Sequence, residues 1–207
     1  MERTRIILIR HGQTTINLEK KLSGHTDPPL TELGLTQARA ASDMLSRQNI
    51  DRIFSSPLSR AADTAALLAK GRGIEPELHE GLMEQNFGQW EGKSFVEIFK
   101  LIPGGPEKLL RGPFLARFPE GEGTEGFVAR VIKAFHDVVM KGSEGKTIAI
   151  ATHLGVIVVL LSHFLGVDPL THFYRIRVNN GSVSMVDHYE QGLYHIQYIN
   201  RVPDTKS

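Results

Sequence analysis

Four short segments of this chain hold the residues best suited to chemistry. Arg10-His11-Gly12 follows directly on the apolar run Ile6-Ile7-Leu8-Ile9. A histidine at the carboxyl end of a parallel strand lies where open α/β sheets hold their ligands. The neighbouring arginine is a planar, permanently charged fork matched to phosphate oxygens, and the glycine leaves the imidazole approachable. Ile148-Ala149-Ile150-Ala151-Thr152-His153-Leu154-Gly155 repeats the arrangement of apolar strand, histidine and glycine. Two imidazoles would then converge over one sheet edge. Ser55-Ser56-Pro57-Leu58-Ser59-Arg60-Ala61 places Arg60 at the start of a helix, where the dipole and free N–H groups already favour anions.

The fourth segment, Glu84-Gln85-Asn86-Phe87-Gly88-Gln89-Trp90-Glu91-Gly92, brings two carboxylates and the sole tryptophan. Transfer of a phosphoryl group to histidine needs a proton donor for the leaving oxygen. Partial desolvation beside Phe87 and Trp90 would favour the acid form of such a carboxyl. Singly, each segment has a plain structural explanation. As a set they describe an imidazole nucleophile, a cationic clamp and an acid.

The elements that must position them alternate in type. Strand-like runs fall at Arg5–Ile9, Asp51–Ser55 and Lys146–Thr152. Helical spacing recurs at Leu35, Ala38, Ala41 and Leu45, and at Ala61, Ala65, Leu68 and Ala69. A third stripe joins Phe127, Val131, Phe135 and Val138, with Val128, Ile132 and Val139 beside it. Such alternation predicts a three-layer α/β/α fold with a mostly parallel sheet and right-handed crossovers. Near the end, Phe173–Val178, Ser182–Tyr189 and Tyr194–Asn200 are β-rich runs separated by Asn180-Gly181 and Glu190-Gln191-Gly192, which predicts an antiparallel edge. Residues 1–207 fit one domain, with 85–123 as a helical and loop cap. Its Pro- and Gly-rich stretch from Pro103 to Gly123 carries Leu109, Leu110, Phe114, Leu115 and Phe118, too apolar for a free linker.

The chain has 207 residues, enough to bury a core without staples, and its 41% hydrophobic and 23% charged residues are those of a soluble globular protein. With 24 Lys plus Arg against 23 Asp plus Glu, the net charge of +1 gives no general attraction to nucleic acid or anionic membrane. Any affinity for an anion must be local. The absence of cysteine excludes disulfides, thiolate nucleophiles and thiolate metal sites. No long apolar leader precedes the first strand, and the apolar stretch Val156–Leu161 is too short to span a bilayer, so the cytoplasm is the expected location. Gly142-Ser143-Glu144-Gly145-Lys146-Thr147 ends like a nucleotide-binding loop. Met140 occupies its required first glycine position, however, and it runs from helix to strand, the reverse of the needed order. His25, His79, His136, His163, His172, His188 and His195 show no metal-ligand spacing, although His25 follows Gly24 and suits a pocket rim.

Leu8-Ile9-Arg10-His11-Gly12-Gln13-Thr14 with Asn17, Gly24, Asp27 and Pro29-Leu30-Thr31 through Gly34 resembles the histidine phosphatase superfamily, in its phosphoglycerate-mutase-like branch. Ser55-Ser56-Pro57 with Arg60 and Thr64-Ala65, Glu84 with Phe87-Gly88 and Trp90-Glu91-Gly92, and Thr152-His153 with Gly155 resemble its further motifs. Pro119-Glu120-Gly121-Glu122 and Asn179-Asn180-Gly181-Ser182 also fit, so the likeness covers essentially the whole chain. The resemblance implies that His11 attacks phosphorus and becomes phosphohistidine. Arg10, Arg60 and His153 would clamp the phosphoryl oxygens with Asn17 assisting, and Ser23, Gly24 and Leu154 would border the substrate. Glu84 would protonate the leaving alkoxide and then deprotonate the attacking water. The scheme calls for no cofactor and no metal, and its partner is a small phosphate monoester; a homodimer is compatible with it.

Leu154 stands where many relatives carry glycine, Gly123 where many carry serine, and Gln13 replaces the commoner glutamate. None of these removes a reacting group. The resemblance is about equal to broad-specificity phosphatases and to α-ribazole-phosphate phosphatases. The stretch Lys93–Phe118 is more compact than the insertion typical of mutases, which favours hydrolysis over phosphoglycerate mutase activity. A non-catalytic phospho-ligand binding module of the same fold is the reading from another class. Apolar Phe114, Leu115, Phe118 and Leu154 would suit an apolar leaving group, whereas Lys108, Arg111 and Arg117 would suit a second anionic group.

Overall fold

A computed structural model of the chain describes residues 2–101, 118–172, 175–190 and 192–205. The sequence expectations resting on residues 102–117, including Leu109, Leu110, Phe114, Leu115, Lys108, Arg111 and Arg117, lie outside the described residues. Among the described residues one sheet holds β1 (Arg3–Arg10), β2 (Arg52–Ser55), β3 (Glu77–Leu78), β4 (Thr147–Thr152), β5 (Val183–Tyr189) and β6 (Leu193–Arg201). Their order is β3-β2-β4-β1-β5-β6, with the first four parallel and β5 and β6 antiparallel to their neighbours.

Continuous apolar strands bury both faces, because successive side chains point to opposite sides of the sheet. Ile6, Leu8, Phe54, Ile148 and Ile150 face α5 (Thr124–Ala134) and α6 (Leu154–Phe164). Ile7, Ile9, Ile53, Ala149 and Ala151 face α2 (Glu32–Met44) and α3 (Ser59–Ala69). The result is the α/β/α layering expected from the alternation of elements. Three shorter helices, α1 (Thr15–Leu18), α4 (Phe95–Leu101) and α7 (Pro169–His172), complete the described set. No helix among the described residues is long and apolar enough to cross a membrane.

Register decides what the sheet presents at its carboxyl edge. Arg10 of β1 pairs with Thr152 of β4, so His11 and His153 leave the sheet at the same level. The adjacent β2 ends at Ser55, opposite Ala151. The loops after these three strands therefore deliver His11, Ser56 and His153 to one place.

Two helices that begin at this edge have no cap of their own. Leu58 at the start of α3 and His153 at the start of α6 make no side-chain cap hydrogen bond. Remote carboxylates take over: Asp27 accepts from the Ser59 N–H at 2.9 Å, and Glu84 accepts from the Gly155 N–H at 3.1 Å. Each orphan donor is satisfied while its carboxylate is held at the site. By contrast, Thr31 caps α2 locally, its Oγ1 accepting from the Gly34 N–H at 3.0 Å. Gly12 and Gly34 meet back to back. A Cβ on Gly12 would lie 2.1 Å from the Gly34 carbonyl oxygen, and one on Gly34 would lie 2.1 Å from that of Gln13.

The structure departs from the sequence reading in four places. The third helical stripe passes from α5 into a π-helical turn at Phe135–Met140. The wider turn shifts the buried position by one residue, so Val139 is fully buried and Val138 only partly. Arg175–Val178, expected as β, forms no strand; this segment approaches the sheet and supplies the Val178 carbonyl to Arg10 instead. Asn180-Gly181 is not a hairpin turn between two strands. It folds against β1, where the Gly181 N–H donates to the Arg10 and His11 carbonyls. The two-residue β3 was not anticipated, and its register with β2 pairs Phe54 with Glu77.

Thr31 also donates to Gln13, so its loss touches both α2 and the loop after His11. Thr31→Ala is expected to lower stability by about 1 kcal/mol in urea unfolding, with the m-value unchanged.

Candidate active site

His11 is held by three backbone contacts. Its N–H donates to the Thr152 carbonyl at 2.9 Å, and its carbonyl accepts from the Gly181 N–H and from Asn180 Nδ2. The ring makes a 2.7 Å hydrogen bond between Nδ1 and the Gly12 carbonyl. A carbonyl only accepts, so Nδ1 carries the proton and Nε2 keeps its lone pair. The imidazole is 4% exposed. Burial, reinforced by the charges of Arg60 and Arg10, holds its pKa well below the usual histidine value. It is a neutral base with a fixed tautomer.

His153 lies beside it, with ring centroids 5.2 Å apart and planes inclined at 60°. Its Nε2 is 2.8 Å from Ser56 Oγ, while Nδ1 is buried with no partner among the described residues. Burial and the charge of Arg60 push its pKa down as well.

The two arginines come from different elements. Arg10, the last residue of β1, donates Nη1 to the Val178 carbonyl at 2.7 Å, yet its Nε is buried without a partner among the described residues. Burial lowers its pKa to about 10, partly offset by Glu84. Arg60, in the first turn of α3, is 1% exposed. Its Nη2 donates to the Gly24 carbonyl at 2.7 Å and its Nη1 to the Thr26 carbonyl at 2.9 Å, with Asp27 Oδ1 at 3.5 Å.

The two carboxylates of the acidic segment part company. Glu84 is buried, accepting from the Gln85 N–H at Oε1 and the Gly155 N–H at Oε2. Burial raises its pKa despite those hydrogen bonds and the nearby Arg60 and Arg10. Glu91 accepts from the His25, Thr26 and Phe87 N–H groups and from Thr26 Oγ1. Half-burial pushes its pKa up, but these donors outweigh it and the net shift is downward. Glu84 is thus suited to carry a proton, while Glu91 is an ionised anchor for the loop beneath Arg60. The enclosure of Glu84 involves Gly155 and Phe127, whose ring tip lies 3.1 Å from a Cβ built on Gly155; such a Cβ would sit 2.3 Å from Glu84 Oε1. Phe87 and Trp90, expected to desolvate the acid, instead form a separate cluster with Phe118 and Leu22.

Arg10 and Arg60 therefore lie within electrostatic reach of His11, His153 and Glu84, and the two histidine rings adjoin. Asn17 is near: its Oδ1 accepts from the Thr14 N–H and from Asn180 Nδ2, which leaves its NH2 end for a ligand. Gly24 serves through its carbonyl, and its Cβ position is filled by Gln85 and Glu91. Ser23 Oγ donates to the Thr26 carbonyl, and Leu154 is partly buried against the core. His25 Nε2 lies 3.1 Å from the Glu84 carbonyl, on the acid loop.

Sequence reasoning assigned no role to Ser56, Asn180 or Arg130. Ser56 holds His153, and Asn180 bridges His11 and Asn17. Arg130 donates to the Glu80, Gly81, Met83 and Glu84 carbonyls while paired with Glu122, fixing the approach to Glu84. The first two lie in motifs already noted. Arg130 had no local signal, because its partners are backbone carbonyls distant in sequence.

An α/β sheet whose edge gathers paired histidines and paired arginines, with an uncommitted N–H and imidazole group, has the chemistry to hold an oxyanion. The chain belongs to the histidine phosphatase superfamily, branch 1, whose model matches residues 6–201. It is 30% identical over 187 residues to phosphoserine phosphatase 1 of Hydrogenobacter thermophilus, covering 90% of this chain and 87% of the relative. Among solved structures it is similar to Bacillus stearothermophilus YhfR, with a TM-score of 0.88, 29% identity and coverage of 98% and 100% of the two chains. The α-ribazole phosphatase from Shigella flexneri gives a TM-score of 0.83, 27% identity and coverage of 95% and 96%. Against the mycobacterial relatives at 32% identity, the chain spans about half of their length, 54%.

Uncancelled positive charge at the site should be relieved by an anion. Inorganic phosphate or vanadate is expected to raise the melting temperature, by an increment that grows with the logarithm of ligand concentration. Arg60→Ala should abolish most of the increment. In the free protein, His11 and His153 have folded pKa values below the unfolded value near 6.5. The stability they contribute is present above that pH and lost as pH falls below it. Scanning calorimetry from pH 7.5 to 5 checks the sign.

Proposed function

We propose that the chain is a phosphomonoesterase that hydrolyses a small phosphorylated metabolite through a phosphohistidine at His11. The observation that carries this reading is the 2.7 Å contact between His11 Nδ1 and the Gly12 carbonyl, which leaves a neutral Nε2 within reach of the charges of Arg60 and Arg10. Nε2 attacks phosphorus; the N–P bond forms as the P–O bond to the leaving group breaks. Glu84 gives its proton to the departing alkoxide. Arg10, Arg60 and His153 meet the charge spread over the phosphoryl oxygens, with Asn17 contributing an N–H donor. The Glu84 carboxylate then takes a proton from water, the hydroxide attacks phosphorus, and the N–P bond breaks to release phosphate. No step needs a metal, because the cationic clamp performs that task.

The names of the relatives point to phosphoserine and α-ribazole phosphate as members of the substrate class, together with other small phosphate monoesters. Hydrolysis is favoured over a mutase reaction by the compact stretch after the acid loop.

Rapid quench with a 32P-labelled monoester is expected to trap acid-labile phosphate on the protein, and His11→Ala to lose both label and turnover. Label without phosphate release, coupled to interconversion of phosphoglycerates, would show a mutase; binding without label would show a non-catalytic module. Turnover should persist in EDTA. Glu84→Gln should reduce turnover of alkyl phosphates by about 10²–10⁴-fold but affect p-nitrophenyl phosphate much less, since that leaving group needs no proton. In the wild type, kcat/KM should fall on the acid side as His11 gains a proton, well below pH 6.5, and on the alkaline side as Glu84 loses one, above its ordinary 4.5. Glu84→Gln should flatten the alkaline limb.

A further inference from the structure

Away from the sheet edge, at the far end of α6, two histidines meet. His136 lies in the π-helical turn Phe135–Met140 and His163 in the last turn of α6, 27 residues later. Their Nε2 atoms are 3.1 Å apart, their ring centroids 5.0 Å apart and their planes inclined at 83°. His136 is exposed, while His163 is partly buried against Phe135 and Tyr194. Tyr194 is itself stacked on Phe164 at 4.5 Å. The His163 ring is therefore walled in place, with its Nε2 turned to the solvent-facing His136.

We infer that His136 and His163 form a surface binding site for a divalent transition-metal ion of the zinc or copper type, separate from the phosphate-directed site. Two imidazoles bound at 2.0–2.1 Å to one ion have their nitrogens about 2.9 Å apart at a right angle and about 3.3 Å apart at the tetrahedral angle. The observed 3.1 Å falls between these limits. The centroid separation is shorter than a head-on approach of the two nitrogens would give, so the rings meet at an angle, as two ligands of one ion do. Both rings bind as neutral Nδ1–H tautomers. The proton now shared between the two Nε2 atoms moves to Nδ1 of the ring that carries it, and the protein's charge is unchanged.

The surroundings accept a cation. Asp137 follows His136 and lies within its electrostatic reach, although Lys133 holds its carboxylate. His188 packs on Tyr194, with ring centroids 4.6 Å apart, and lies within electrostatic reach of His136. Among the described residues no group of three His, Cys, Asp or Glu side chains converges on one point. The ion would keep water in its remaining positions. Imidazole donors favour copper over zinc in affinity and exclude magnesium and calcium, which require oxygen ligands. The π turn supports the assignment, since such single-turn insertions are frequent at functional sites.

The test uses tag-free protein carrying His11→Ala, so that the phosphate-directed imidazole does not compete for metal, at pH 7.5 where an ordinary imidazole is neutral. Calorimetric titration with Zn2+ and paramagnetic resonance with Cu2+ are expected to show one ion per chain with two nitrogen ligands. His136→Ala and His163→Ala should each weaken binding by more than about tenfold, since even outer-shell losses cost that much. His188→Gln should leave it nearly unchanged. His136 is exposed, so His136→Ala should melt as the parent does without metal and lose only the metal-induced rise. Equal metal affinity in the His136→Ala, His163→Ala double variant, a copper spectrum without nitrogen coupling, or no binding at millimolar metal would each overturn the assignment.

Discussion

Burying two guanidinium groups beside two imidazoles is the constraint on which this structure turns. Arg60 is almost wholly removed from water and Arg10 partly so, and one protonatable carboxyl, Glu84, stands among them. Charges cannot be desolvated without partners except at heavy cost. The fold meets part of that demand with backbone carbonyls: Val178 for Arg10, and Gly24 and Thr26 for Arg60. The rest is left unmet at Arg10 Nε and at His153 Nδ1. Gln85 Oε1, Ser162 Oγ and Ser182 Oγ are likewise without partners among the described residues, but only Arg10 and His153 belong to the cationic cluster, where a ligand can supply what the protein withholds.

The architecture follows from holding those groups still. Parallel pairing of β1 with β4 brings two histidines out at one level, and the antiparallel β5 returns the chain so that Asn180 and Gly181 grip His11 from the opposite side. The helices α3 and α6 give up local caps in favour of Asp27 and Glu84. A capping interaction usually serves the helix alone. Here it also orients Glu84 beside the buried cations, so helix stability and site geometry are the same contact.

The strand ends and the two arginines were legible because each is a local pattern: an apolar run that stops at a polar group, or a charge at a helix start. Arg60 could be placed from Ser59-Arg60-Ala61 alone. The division of labour between Glu84 and Glu91 could not, since it depends on donors from His25, Thr26 and Gly155 that are distant in sequence. The π turn at Phe135–Met140 was hidden because its apolar residues fit an unbroken helix equally well; the choice of Val139 over Val138 is made by packing against α6. Arg175–Val178 carries β-forming residues, but tertiary demand for the Val178 carbonyl overrides that propensity.

The contact of Gly12 with Gly34 has a consequence for how such a site changes over time. The two glycines act as a mechanical gauge between the loop after β1 and the first turn of α2: Gly34 fills the space that a methyl group on Gly12 would need, and the Gln13 backbone fills that of Gly34. A side chain gained at either position must push α2 outward, and the Thr31 cap and Gln13 would travel with it. This wall of the site admits no gradual enlargement.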